Sequence, residues 1–556
     1  LSCGLTLVAR WFVVGMAWGW TLARFRAGLP RWAAWTVSAA GNLLVGAVVS
    51  TLTAWALAEA GIYSVFIEWV FLVCLALLGC MAGRAAGRDA MRSHFHAGLP
   101  GLAVFALACF SVMALPRRGE WILGGWDPGV YVNQGVCVAR GGTFHPGASP
   151  ELEMLGSGGM ERIVRRFGDD YTEISPGIPI DETARSYRFN FFRLTPALIA
   201  TLFRSGGLRA AARVNEFAGL LAGILFLAWM LKAMPRASQA LPAALFFGIQ
   251  PLLLYHLHTP VSEMFELALV CGAGFLLMER PRSWAAQLLL AAVFFAATLN
   301  RVSFAAFGAI VVLAQACLDF RRPDRARVLC EHAMPAAALG AALAFDLATS
   351  SMIPRLGHIL PALLRLCALA GVIALAVDCA GWSSRLKAIR LSSRARWVLV
   401  AAAPATGAGV LAVLGLLDVR DLLESGRSLA RLLGVVGVPL AVMAAGGLAA
   451  LVFDRQRARS LPRDLTGVLV CFLAVAGALV VHNWVADLYP WATKRFLVYA
   501  APLLAVLAGS CLAWIATAGR PSGWRRAAAV AAVLLVLAGT ARQSWHAWKR
   551  TEYDGA

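Results

Sequence analysis

Charge is what this chain has least of. Asp and Glu number 30 in 556 residues, and charged residues of both signs make up only 14%. With 60% hydrophobic residues, that excludes an ordinary soluble protein of this size. Metal and redox spacings are missing as well. Twelve cysteines are present, but none forms a CxxC pair or a cysteine–histidine spacing, which argues against a zinc site or a disulfide framework. Cys74, Cys80, Cys109, Cys271, Cys471 and Cys511 lie within apolar runs, while Cys137 stands in a polar segment and reads as a free thiol. There is no low-complexity tract, no convincing internal repeat and no stretch resembling a soluble domain. The first apolar run is followed by Arg24 and Arg26 without a small-residue cleavage site, so it reads as a membrane span and not as a removed signal peptide.

What is abundant is apolar sequence in runs of about 17 to 24 residues, each long enough to cross a hydrocarbon core about 30 Å thick. The expected fold is all-α and integral to the membrane, with about sixteen transmembrane helices. Four precede the one long polar segment, near 3–22, 34–57, 62–82 and 99–116. Twelve follow, near 213–233, 239–256, 262–279, 284–299, 302–319, 331–349, 366–382, 397–417, 432–453, 465–482, 496–516 and 525–541. The net charge of +20 sits in short clusters in alternate connections: Arg24, Arg26 and Arg31; Arg84, Arg88 and Arg92; Lys232 and Arg236; Arg280 and Arg282; Arg321 to Arg327; Arg385 to Arg396; Arg455 to Arg463; and Arg520 to Arg526. Such a one-sided excess marks the cytoplasmic face and makes anionic lipid, not nucleic acid, the expected partner. The polar segment 117–212 then lies outside the cytoplasm, with the turns near 256–261, 300–301, 350–365, 418–431 and 483–495.

The polar segment is too long for a plain loop. Asp127-Pro128 predicts a helix start, with Asp127 as cap and proline in the first turn, and Gly141-Gly142 predicts its end after Arg140. Residues 146–182, rich in glycine and charge, read as a mobile flap. Phe191 through Arg204, apolar with basic ends, reads as a helix lying in the membrane interface.

Candidate chemistry gathers on this outer side. Asp127 is a cap on spacing alone, and also a candidate general base, because a helix N-terminus keeps a carboxylate ionised. In Tyr255-His256-Leu257-His258-Thr259-Pro260-Val261-Ser262-Glu263, the acid opens an apolar helix and Glu266 follows one turn later. Either Ser262 or Thr259 simply caps that helix, or the acids face a partner or a wet cavity. His256 and His258 are interfacial polar groups or ligand contacts. Arg301 runs against the outer-side charge bias; it snorkels to headgroups or binds a phosphate through its planar fork. The same two readings apply to Lys494 and Arg495, with Tyr489 and Trp491 as an aromatic belt or a sugar-stacking pair. Arg355 and Arg365 are weaker candidates.

With these residues in view, the chain resembles the C-type (GT-C) membrane glycosyltransferases, the superfamily of protein O-mannosyltransferases and lipid A aminoarabinose transferases. The resemblance rests on Trp126-Asp127-Pro128-Gly129-Val130-Tyr131 just after a span, and on Ala211-Ala212-Arg213-Val214-Asn215 leading into the next. It continues with an acid in the following outer turn (Glu263), a base two spans on (Arg301), and Arg495-Phe496 with Pro502. It covers roughly residues 99–516. Three extra spans precede it, and Glu263 stands where Asp is common in the family.

The resemblance implies three parts: extra N-terminal helices at 1–98, a catalytic module at 99–350 containing the loop 117–212, and C-terminal helices at 351–556. It implies transfer of a sugar from a polyprenyl-phosphate donor to an extracytoplasmic lipid, glycan or protein. Asp127 would act as base, Glu263 would orient hydroxyls, and Arg301, Lys494 and Arg495 would hold the lipid phosphate. Tyr131, His256, His258, Tyr489 and Trp491 would contact substrate. No cofactor is required; a divalent metal between two facing carboxylates is possible chemistry but is not indicated. The competing classes are a transporter or flippase, which calls for inverted repeats and charges near the bilayer centre, and a non-catalytic scaffold.

Overall fold

The computed structural model describes residues 2–86 (27 apart), 107, 127–145, 191–349 (less 235–236, 280–282 and 320–324), 432–453 (less 434), 494–517 and 523–549, with short pieces of 147–189 and 465–476. The expected spans near 99–116, 366–382 and 397–417, together with Arg355, Arg365, Tyr489 and Trp491, lie outside the described residues.

Helices occur where the apolar runs fall. In chain order they are α1 (Ser2–Trp18), α2 (Arg31–Glu59), α3 (Val65–Ala86), α4 (Asp127–Gly141), α5 (Leu194–Ala211), α6 (Val214–Ala233), α7 (Ala237–Ile249), α8 (Pro251–His256), α9 (Ser262–Leu277), α10 (Trp284–Asn300), α11 (Ser303–Asp319), α12 (Arg325–Thr349), α13 (Val438–Phe453), α14 (Lys494–Thr517) and α15 (Gly523–Lys549). Among the described residues, five helical stretches are long and apolar enough to cross a membrane: Arg31–Glu59, Val65–Ala85, Val214–Ala233, Arg327–Thr349 and Leu497–Ala516. Shorter apolar helices accompany them. The fold is thus mostly helical, with the character of a multi-pass membrane protein.

Small residues and aromatics explain the packing. α1 and α2 run antiparallel at backbone contact, because side chains are missing where they cross. A Cβ on Gly15 would overlap the Asn42 carbonyl, and one on Gly46 would overlap the Trp11 carbonyl. α3 runs parallel to α1, to which it is tied by Trp18 Nε1 donating to Leu75 O (2.8 Å) and Trp20 Nε1 donating to Gly79 O (3.2 Å). α6 and α9 form the centre, where Phe226 stacks on Phe247 at 4.2 Å and Trp229 meets Phe226 edge-on. The outward side chains of α3, such as Phe66, Phe71, Leu77 and Met81, are exposed, as a lipid-facing helix requires.

Contacts between helix ends sort the connections into two sets. The ends of α2 and α12 meet through Arg193, which pairs with Glu59 and donates to Thr349 O (2.8 Å). The start of α9 and the end of α10 meet through Asn300, which donates to Ser262 O (2.8 Å). At the opposite end, Lys232 in the last turn of α6 pairs with Glu279 just after α9 (3.3 Å).

Four readings change. The run near 239–256 is two helices, because Pro251 disfavours helical backbone at Gln250 (φ −66, ψ 137) and starts α8 afresh. The segment 146–182 is not simply a flap, and the fold is not wholly α. Arg165–Arg166, Thr172–Ser175, Ile178–Asp181 and Ser186–Tyr187 pair in order as a small antiparallel ribbon, β1 to β4. The helix from Leu194 is present, but residues 194–202 are all buried, so it is packed among α4, α1 and α2 and not laid on the outside of the bundle. An apolar helix with basic ends has the same pattern in both settings; only its neighbours decide.

α4 stops as Gly141-Gly142 predicts, and it begins at Asp127, which is the first helical residue and not the cap before it, with Pro128 second. Gly142 has φ +76, its carbonyl accepts from Tyr63 N (3.0 Å), and a Cβ there would sit 3.0 Å from Tyr63 O. Gly142→Ala is therefore expected to lower stability by roughly 1–2 kcal/mol, the cost of a left-handed non-glycine residue. A lower thermal midpoint in detergent reads this out; an unchanged midpoint would mean that the turn relaxes freely.

Candidate active site at one end of the helix bundle

The site is built on α9. Its first two turns carry Ser262, Glu263 and Glu266, all buried although they open an apolar helix. A carboxylate so enclosed needs a cation, and Arg301 supplies it for both acids. Arg301 Nη1 lies 2.8 Å from Glu263 Oε1, and Nε lies 3.1 Å from Glu266 Oε2. The guanidinium also donates to Ser262 Oγ (3.0 Å) and rests over the Phe192 ring at 5.9 Å. No partner among the described residues takes Nη2, and the side chain keeps 19% exposure. Burial alone would weaken its hold on its proton, but Glu263 and Glu266 outweigh that and strengthen it.

Four further elements close around this group. α4 brings Tyr131, whose hydroxyl donates to Ser262 Oγ (2.9 Å) and whose ring meets Phe191 edge-on at 5.0 Å. Burial pushes the Tyr131 phenol up; Arg301 opposes this, and Glu263 and Asp127 add to it. The fields of Asp127, Glu263 and Arg301 thus meet on one hydroxyl, which stays protonated and donating. α5 contributes Thr195, which donates to Asn300 Oδ1 (2.6 Å) and so braces the turn that carries Arg301. α11 contributes Ser303, whose hydroxyl reaches Glu266 Oε1 at 3.5 Å. α14 contributes Tyr499, donating to the same oxygen at 3.0 Å.

Of the residues expected to act together, Tyr131, Glu263 and Arg301 are brought to one place through Ser262, and Asp127 stands one turn before Tyr131 on α4. Tyr131 and His256, expected to touch substrate, are both buried. Tyr131 instead positions Ser262, and the His256 carbonyl accepts from Asn215 Nδ2 (3.2 Å). Asn215 also donates to Thr259 O, so the lead-in to α6 clamps the turn before α9. His258 is 40% exposed and its Nδ1 faces Glu216 Oε1 at 3.2 Å. Lys494 and Arg495 open α14 one helical turn before Tyr499, which puts the start of that helix at this end of the bundle; their side chains lie outside the description.

Ser262, read from sequence as a possible cap, is the first residue of α9 behind Val261, and no side chain caps that helix; the sequence assigns no role to Asn300, Tyr499 or two charge clusters. Arg193 Nη1 contacts both oxygens of Glu59 (2.8 Å each), where His145 also binds (3.2 Å). Arg10, 1% exposed within α1, contacts Glu68 at 2.6 Å, with Thr201 on the same carboxylate (3.4 Å) and Trp69 beneath the guanidinium. The available signal was a lone cation inside an apolar run, which by itself demands a partner.

Chemically, the arrangement offers a carboxylate at a helix start, a guanidinium shared between two glutamates, and the neighbouring rings of Phe191 and Phe192. Among the described residues, no group of three or more His, Cys, Asp or Glu is arranged to hold a metal. No protein-family model matches this chain, and no curated protein matches it.

Proposed function

We propose that the protein is a polytopic membrane glycosyltransferase. It would move a sugar from a polyprenyl-phosphate donor to an extracytoplasmic acceptor, with inversion at the anomeric carbon. The observation that carries this reading is the junction of Arg301, Glu263 and Ser262 with Tyr131 from the helix that Asp127 begins. A phosphate-binding cation and a candidate base, remote in sequence, thus share one end of the bundle.

In this reading Asp127 accepts the proton of the attacking hydroxyl. Attack from the face opposite the leaving phosphate inverts the sugar. Arg301, with Lys494 or Arg495 at the head of α14, stabilises the charge that the phosphate gains as it leaves. Glu263 orients hydroxyls of donor or acceptor while keeping Arg301 in place. The acceptor side is assigned to the outside from the one-sided excess of arginine in alternate connections of the sequence. A transporter reading would draw on the buried Arg10–Glu68 pair. Glu68 lies in the first turn of α3, however, one turn from the same end and not at the middle of a span.

Arg301→Lys tests the reading. It keeps a positive charge between two glutamates but loses the planar fork. Affinity for a prenyl phosphodiester is expected to fall about tenfold to a hundredfold, the weight of one charge-assisted contact. Unchanged affinity would leave Arg301 as a structural partner of Glu263 and Glu266.

A further inference from the structure

We infer that binding of a phosphodiester at Arg301 takes up one proton from solvent, and that Glu266 receives it. This rests on the phosphate reading of the site above.

The groups facing Arg301 are Ser262, Glu263 and Glu266 from α9, Tyr131 from α4, Ser303 from α11 and Tyr499 from α14. Two carboxylates are thus opposed by one guanidinium. A phosphodiester brings a further negative charge into an enclosed place, and like charges at close range force one group to neutralise.

Geometry selects which one. A phosphodiester is gripped best by two parallel N–H groups, yet Nε and Nη1 are already engaged, each ion-paired with a carboxylate and each donating to a serine hydroxyl, Ser303 and Ser262. To present a fork, Arg301 releases one acid. Glu263 lies in the first turn of α9, where the helix start favours its charge, and its contact with Arg301 is the shorter. Glu266 sits one turn deeper. Once Nε turns away, its remaining partners are the Tyr499 and Ser303 hydroxyls. Hydroxyls accept as readily as they donate, so they suit a neutral carboxyl. A buried carboxylate left without its cation protonates sooner than it stays charged.

The test uses the full chain in nanodiscs, titrated calorimetrically with farnesyl methyl phosphate and, separately, with dimethyl phosphate. Diesters keep one charge across the working range, so any proton counted belongs to the protein. Titrations in two buffers of different ionisation enthalpy should show about one proton absorbed per ligand, and affinity should fall by up to about tenfold per pH unit as pH rises. Uptake with both ligands would assign recognition to the phosphate group alone; uptake confined to the farnesyl ester would assign it to a lipid headgroup. Glu266→Gln should abolish the uptake and flatten the pH profile, while Glu263→Gln should retain both. Binding without uptake, or uptake that survives Glu266→Gln, overturns the inference. If neither diester binds at any pH, the phosphate reading itself falls.

Discussion

Asp127→Asn is expected to reduce sugar transfer by about 10²- to 10⁴-fold, the usual weight of a general base, while leaving the helix bundle intact. Asparagine is the informative replacement because it caps a helix as well as aspartate does. If Asp127 serves only to start α4, the variant should fold and turn over normally. If the carboxylate takes the acceptor's proton, the amide cannot, and transfer fails in a folded protein. Asp127→Ala removes both roles and should add a stability loss of about 1 kcal/mol. The readout is single-turnover transfer of labelled sugar from whichever polyprenyl-phosphate donor binds the wild type, with donor affinity measured alongside. Loss of rate with affinity retained places Asp127 in the chemical step. Near-normal turnover would move the base elsewhere, with His258 beside Glu216 the next group to examine at the same end of the bundle.

How far the sequence anticipated this site depends on the range of each interaction. Local signals carried well. Asp127-Pro128 and Gly141-Gly142 bracket α4 because capping and left-handed turns are decided by neighbouring residues. Apolar runs located the helices for the same reason. The meeting of Glu263 with Arg301 was legible only as two misfits, an acid heading an apolar helix and a cation on the poorly charged side. The residues that complete the site were not legible. Tyr499 reaches Glu266 across 233 positions and Tyr131 reaches Ser262 across 131. A tyrosine in an apolar helix or a serine at a helix start has an ordinary local explanation, so nothing in its own neighbourhood points to a distant partner. The strands near 165–187 are two to four residues long, too short for a period of two to show. Pairing of Arg193 with Glu59 is equally remote, and it has a consequence for the site. The stretch from Phe191 to Thr195 touches Tyr131, Arg301, Glu59 and Asn300 in turn, so one short segment links α4 with the ends of α2 and α10.

Arg10→Ala is expected to cost about 3–5 kcal/mol, because it strands the Glu68 carboxylate inside the bundle without its cation. Both side chains are almost wholly enclosed and 2.6 Å apart, and the only other groups that reach Glu68 among the described residues are the Thr201 and Tyr63 hydroxyls, which cannot replace a cation. The cost belongs to the unpaired charge and not to the pair itself. The double variant Arg10→Leu with Glu68→Leu removes both charges and fills much of the space, so it should lie within about 1–2 kcal/mol of wild type or exceed it. Glu68→Leu alone should be as damaging as Arg10→Ala, since it leaves a guanidinium among Trp69 and apolar neighbours. Unfolding in mixed detergent gives the three differences directly. Near-equal stability of Arg10→Ala and wild type would mean that water reaches Glu68 and that the bundle is open there. A stable double variant that nevertheless loses phosphodiester binding would point elsewhere: Thr201 lies on α5, the helix whose first residues brace Asn300 and Arg301. The pair would then fix the placement of α5 relative to α1 and α3, and so the position of the guanidinium at the site.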